Sequence, residues 1–350
     1  MNALPELNER ERLILHAVVH SYITTAEPVG SRTVVKRFGM DLSPATVRNV
    51  MADLEELGYL EQIHTSSGRV PTDQGYRYYV NHLMRVQELT LAERTRIEDE
   101  FSEKLSDADS VLRQTSHLLA LVTHQAGIAE APSERNAEMR RIELMPVSDT
   151  RMAVLIADSY GRVHSMTAQM DFPLAPDRIG ELGRFLNEQL QGATIDSLSF
   201  MIEDKLRSFL DEQRQLAELA LRVLGLLPRP PRGQLFLEGT MQLFEQPEFR
   251  DVNRVREVFG LFEEHDRLTA LLRRAVKEAE TQHGAVVIGT ETLNGGVEGI
   301  SVIASPYQVG GHTVGMIGVL GPRRMPYPRL TAIVDYTAHM VGRMLTRLSG

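Results

Sequence analysis

Apolar residues recur at helical spacing in three segments near the start of the chain. Leu13, Ile14, Ala17, Val18 and Tyr22 form one stripe behind Asn8 and Glu11, a capping-box pair, and predict a first helix broken by Pro28-Val29-Gly30. Ser31 is expected to cap a short second helix carrying Val34 and Val35 and ended by Phe38-Gly39. Ser43 is a good N-cap, and Pro44 suits the first helical position, where its missing N–H costs nothing. Val47, Val50, Met51, Leu54 and Leu57 then line one face of a third helix, and Gly58 supplies a left-handed stop. The opposite face carries Thr46, Arg48, Asn49 and Ala52, which are small or hydrogen-bonding. A short strand follows over Leu60–Ile63, and the turn after it bears His64, Thr65, Ser66 and Arg69. Thr72 caps a further helix with Tyr76, Tyr79, Val80 and Leu83. This order predicts a winged helix-turn-helix over residues 1–83, its third helix offering Ser43, Thr46, Arg48 and Asn49 to base edges in a major groove. Arg32, Lys36 and Arg37 on the second helix, and His64, Thr65, Ser66 and Arg69 in the wing, are the further candidates for DNA contacts, the basic ones to phosphates.

Residues 84–100 read as a polar helical linker. Phe101, Leu105, Ala108, Leu112, Thr115, Leu119 and Val122 then alternate by four and three, a helix packed along its length, and Gly127–Asn136 reads as a loop. Ile142–Val147, Met152–Ala157 and Val163–Ala168 predict a three-stranded meander with turns at Asp149-Thr150 and Tyr160-Gly161. Pro176–Leu190 is helical. A long helix over 196–227 carries Ile202, Leu206, Phe209, Leu216 and Val223, and Pro228, Pro230 and Pro231 stop it. After a short strand at Leu235–Leu237 and a helix over 255–282, the pattern returns to strands at Val286–Ile288, Ser301–Ala304 and Thr313–Leu320. A final helix runs from Pro328 to Leu348. Strands on both sides of a helical segment make this an α+β multidomain chain, one α+β domain being interrupted by an insertion.

The wing and its surroundings are specific enough to compare. His64-Thr65-Ser66-Ser67-Gly68-Arg69-Val70-Pro71-Thr72, then Gly75-Tyr76-Arg77, closely resembles the heat-inducible transcription repressor HrcA family. Glu27-Pro28-Val29-Gly30-Ser31 and Ser43 to Asn49 resemble it too; the likeness is dense over 8–83 and thinner beyond. Gln74 stands where many relatives carry Lys. The resemblance implies a GAF-like domain carrying an inserted dimerisation domain. The expected organisation is 1–83 DNA-binding, 84–100 linker, 101–189 GAF-like first part, 190–258 insertion and 259–350 GAF-like second part. It also implies a homodimer that binds an inverted-repeat DNA operator of chaperone operons, with the GroE chaperonin as partner.

Composition narrows the possibilities. With 350 residues the chain has room for two or three domains. The absence of Cys excludes disulfides and thiolate sites, and the apolar runs are too short to span a bilayer, so a cytoplasmic, non-membrane protein is expected. A net charge of −9 argues against indiscriminate nucleic-acid binding. Acidic and basic residues balance over 28–80, so specificity must come from base contacts and from pairing two copies on symmetric half-sites. Ile202, Leu206, Phe209, Leu216 and Val223 exceed what a small inserted domain needs for its own core and are assigned to the dimer interface.

No Gly-x-x-x-x-Gly-Lys, Gly-x-Gly-x-x-Gly, Gly-x-Ser-x-Gly or His-Glu-x-x-His motif occurs, so neither an enzyme nor a cofactor is expected. His265 lies beside Glu263, Glu264 and Asp266, but consecutive residues on one helix do not converge on a metal. Three functional classes stay open: a dimeric repressor, a winged-helix regulator with a small effector in its GAF-like domain, and a winged-helix scaffold that binds protein.

Overall fold

A computed structural model describes residues 7–63, 68–101, 107–132, 137–170, 176–190, 192–194, 234–249, 252–278, 285–289 and 299–349. The chain opens with α1 (Glu9–Thr25), whose capping box is formed as predicted: Asn8 Oδ1 accepts from Glu11 N at 3.0 Å and Glu11 Oε2 from Asn8 N at 2.8 Å. Its buried face is Ile14, Leu15, Ala17, Val18 and Val19; Leu13, expected in the stripe, is half exposed. α2 (Ser31–Phe38) begins at the residue expected to cap it: the N-cap is Gly30, one position earlier, and Ser31 is buried in the first turn. α3 (Pro44–Glu56) is capped by Ser43, whose Oγ accepts from Thr46 N at 3.1 Å, and Gly58 follows with φ +80°. Val34, Val47, Val50, Met51 and Leu54 meet the α1 face in one core.

β1 (Leu60–Glu61) and β2 (Val70–Pro71) form an antiparallel hairpin, and Val29 joins it at the base. Val29 and Arg69 exchange both backbone hydrogen bonds at 2.9 Å. Gly68 is required there, since a Cβ would lie 2.4 Å from the Val29 carbonyl carbon. α4 (Asp73–Tyr78), capped by Thr72, passes into a π-helical turn (Tyr79–Leu83) that ends on extended Met84. α5 (Leu91–Glu100) then leads into α6 (Ala108–Thr123).

The centre of the chain is a five-stranded antiparallel sheet in the order β7-β3-β10-β9-β8, from β3 (Ala126–Glu130), β7 (Leu235–Glu238), β8 (Ala285–Ile288), β9 (Ile300–Val309) and β10 (His312–Pro322). Alternation sends Ala129, Ile303, Ile317 and Val319 into one core with α6 and α11 (Tyr327–Ser349). Ala126, Ile128, Val302, Ala304 and Leu320 enter a second core. That second face is covered by α9 (Val252–Glu263) and α10 (His265–Glu278); α8 (Thr240–Phe244) lies just after β7. The helix expected over 255–282 is thus two, restarted where the Glu264 carbonyl accepts from Arg267 N and Leu268 N.

The loop expected at Gly127–Asn136 begins instead as buried β3. Its Ala-Gly-Ile-Ala-Glu sequence lacks the β-branched density of a strand because α6 crosses it too closely for side chains. A Cβ on Gly127 would stand 2.1 Å from the Ser116 carbonyl oxygen.

β4 (Met139–Ser148), β5 (Arg151–Asp158) and β6 (Val163–Gln169) form a separate antiparallel meander. With α7 (Pro176–Leu190) they enclose a core of Met139, Ile142, Met152, Val154, Ile156, Ala168, Leu182 and Leu186. The sequence pattern assigned these elements to 101–189 as the first part of the sheet domain. Among the described residues they share no strand pairing with the five-stranded sheet; tight turns pair each strand with its chain neighbour. Asp158 closes one such turn by accepting from the N–H groups of Tyr160 and Arg162 at 2.8 and 3.0 Å. The predicted 196–227 helix, with Ile202, Leu206, Phe209, Leu216 and Val223, lies outside the described residues, as do His64, Thr65 and Ser66. No described helix is long and apolar enough to cross a membrane.

Candidate nucleic-acid interface

The cap at Ser43 determines which way α3 faces. With Val47, Val50 and Leu54 buried, Arg48 and Asn49 are left exposed within the first turns, beside the helix N-terminus and its partial positive charge. Ser43 and Thr46 are partly committed to the cap, their hydroxyl oxygens lying 2.9 Å apart. On α2, Arg32, Lys36 and Arg37 are exposed while Val34 is buried. None of Arg32, Lys36, Arg37, Arg48 and Asn49 makes a side-chain hydrogen bond or ion pair among the described residues. Four solvated cations and one amide on two adjacent helices therefore keep all their donors available for a partner rich in acceptors.

Arg69 is placed differently. Its Nε lies 2.7 Å from Glu55 Oε2 and its side chain is only 18% exposed, so it ties the hairpin base to the last turn of α3. Thr72 continues the same seam, donating to the Gly58 carbonyl at 2.6 Å. Gln74 donates to the Leu57 carbonyl at 3.2 Å, satisfying the C-terminal end of the helix. The hairpin is thus registered against α3 by three side chains that follow its second strand or lie at its base.

Sequence reasoning missed what the next residues do. Asp73, Tyr76 and Arg77 turn toward the sheet region. Asp73 Oδ1 pairs with Arg323 Nη1 at 2.6 Å, Arg77 Nη2 donates to the Val286 carbonyl at 2.6 Å, and the Tyr76 ring lies 5.9 Å from that of Tyr327. The Gly75-Tyr76-Arg77 motif was the available signal. Gly75 packs instead within the N-terminal unit, since a Cβ there would meet the Tyr59 carbonyl oxygen at 2.1 Å.

The remaining buried charges serve the fold. Glu130 is 2% exposed and held by Arg273 at 2.6 and 3.0 Å; burial raises its pKa and the guanidinium opposes that shift. No group of three His, Asp or Glu side chains suited to a metal occurs among the described residues.

These features define a mixed α+β protein of several units, with antiparallel sheets and a helical N-terminal unit whose α2 and α3 expose cations that have no side-chain partner among the described residues. The family profile described as the HrcA protein C terminal domain matches residues 109–331. A heat-inducible transcription repressor HrcA of Geobacter sulfurreducens is 41% identical over 342 residues, covering 98% of this chain and 99% of that protein. Its namesake from Shouchella clausii is 37% identical over 341 residues, covering 97% and 98%. A crystal structure described as that of a hypothetical protein superposes with TM-score 0.65 at 26% identity, covering 98% of this chain and all of that one. The chain belongs to the HrcA family of heat-inducible transcription repressors.

Proposed function

We propose that the chain is a sequence-specific repressor of heat-shock operons that binds an inverted-repeat operator as a homodimer. The observation that carries this reading is the exposed set Arg32, Lys36, Arg37, Arg48 and Asn49 on α2 and α3, none with a side-chain partner among the described residues. α1 to α3 and the β1–β2 hairpin are read as a winged helix-turn-helix, with Arg48 and Asn49 reading bases and the α2 cations gripping phosphates. Arg69 is assigned to holding the wing in place, on the strength of its bond to Glu55.

The five-stranded sheet is read as the GAF-like domain and the meander as part of an inserted dimerisation unit. The insertion is placed at about 132–233 rather than 190–258. Supporting this, β3 and β7 are neighbours in register, Glu130 opposite Leu235, and Ala131 N donates to the Gln234 carbonyl at 2.8 Å. The chain thus leaves and re-enters the sheet at one point.

Repression is relieved by heat through loss of the active dimer, and the GroE chaperonin restores it. The test is operator binding by fluorescence anisotropy across the heat-shock range, with and without chaperonin and ATP. Expected are affinity that falls with temperature and recovers with chaperonin. Full activity throughout without chaperonin would overturn that part and favour control by a small effector in the sheet domain.

A further inference from the structure

The contacts made by Asp73 and Arg77 belong to a larger joint. Arg323 and Arg324, adjacent between β10 and α11, reach two different helices of the N-terminal unit. Arg323 takes Asp73 at the start of α4, and Arg324 Nη1 donates to the Ile23 carbonyl near the end of α1 at 3.1 Å. Arg324 is itself fixed from behind by Glu248 at 2.7 Å and by Gln246 at 3.2 Å. Gln87 N donates to the Pro328 carbonyl at 3.0 Å, closing the joint beyond the π-helical turn. Gly289 stands against Asp73 in the left-handed region, φ +48°; a Cβ there would lie 2.2 Å from Asp73 Oδ2. Asp73 and Arg324 are 13% and 15% exposed and Arg323 is 31%, so these bonds are partly shielded from solvent.

Without such a joint, the N-terminal unit would hang on the π-helical turn and the extended residues after it, and its recognition helix would have no fixed direction. A dimer reads two half-sites, and each base pair added between them both separates and rotates the sites. Resting on the reading of a dimeric operator-binding protein, we propose that Arg323 and Arg324 clamp the DNA-binding unit to the sheet domain. The clamp sets the half-site spacing the dimer accepts. Arg323, Arg324, Asp73 and Gly289 are then positioning residues that determine specificity without touching DNA.

The experiment compares the intact chain with Arg323→Ala, Gly289→Ala and the charge-exchanged pair Asp73→Arg with Arg323→Asp. Each is titrated with an inverted repeat of native spacing, with repeats lengthened or shortened by two base pairs, and with scrambled DNA. The intact protein is expected to reject altered spacing, and the two single variants to lose about tenfold of that discrimination. The exchanged pair is expected to regain it. In parallel, because the chain has no Cys, spin labels on Lys36→Cys and Arg343→Cys report the distance between the units directly. A narrow distribution that broadens in Arg323→Ala supports the clamp. A broad distribution in the intact protein, or unchanged spacing discrimination in folded variants, overturns it. Equal binding of inverted repeat and scrambled DNA by the intact protein would instead overturn the operator reading, and the label distances would still decide the clamp.

Discussion

Two buried tyrosines should respond to the same substitution with opposite sign. Tyr76 and Tyr307 are each 1% exposed, and each loses one oxygen on replacement by Phe. The Tyr307 hydroxyl donates to the Glu130 carbonyl at 2.6 Å. The Tyr76 hydroxyl is buried beside Tyr327 and has no hydrogen-bond partner among the described residues. A buried polar group without a partner costs about 1–3 kcal/mol of desolvation, whereas a formed hydrogen bond contributes about 0.5–1.5 kcal/mol net. Tyr76→Phe is therefore expected to stabilise by about 1 kcal/mol, less whatever the small void left by the oxygen returns. Tyr307→Phe is expected to destabilise by about 1–2 kcal/mol, because it also strips a partner from a buried carbonyl. Urea titration followed by circular dichroism measures both. The chain has no Trp to serve as a fluorescence probe, and midpoints are to be compared only where the slope is unchanged. Loss of stability in Tyr76→Phe comparable to that in Tyr307→Phe would contradict the expected sign and mean that the Tyr76 hydroxyl is satisfied in solution.

Burial holds the hydroxyls of Tyr76, Tyr307 and Tyr327 protonated well above the ordinary phenol range. The unfolded chain releases those protons near pH ~10 while the folded chain keeps them, so stability is full below that value and falls as pH rises above it. Urea midpoints against pH, with tyrosinate absorbance alongside, check the sign; rising stability in that range would contradict it. Gly127→Val should prevent normal folding of the sheet domain, since even a Cβ would stand 2.1 Å from the Ser116 carbonyl oxygen; thermal melting or insoluble expression reports it, and a wild-type melt would show that α6 can retreat. Leu206→Asp and Phe209→Asp, placed in the proposed dimer interface, are expected to give soluble monomers that no longer hold the operator. Sedimentation showing an unchanged dimer would move the interface elsewhere.

What the sequence made legible was local. The caps at Asn8, Ser43 and Thr72 and the left-handed Gly58 act within a few residues, so α1, α3 and α4 could be placed from the chain alone. The alternating strands of the meander were visible for the same reason, each paired with its neighbour through a tight turn. β3 was not, because its composition answers to the helix crossing it rather than to strand propensity. The joint between units was invisible because its partners, such as Asp73 and Arg323, are far apart in sequence, and neither residue type signals an ion pair by itself. Arg69 is a subtler case. A basic residue beside a wing suggests phosphate, and the chain alone does not show that Glu55, fourteen positions earlier on α3, also binds its Nε.

α3 is proposed to read base sequence through Arg48 and Asn49. The most direct test is the affinity of the intact protein, Arg48→Ala and Asn49→Ala for an inverted-repeat operator and for scrambled DNA of the same length, at one salt concentration. Each substitution is predicted to cost about 1–3 kcal/mol on the operator and little on scrambled DNA, relaxing base preference at one position per half-site. Equal losses on both DNAs would contradict the claim, reducing these residues to sequence-independent contacts.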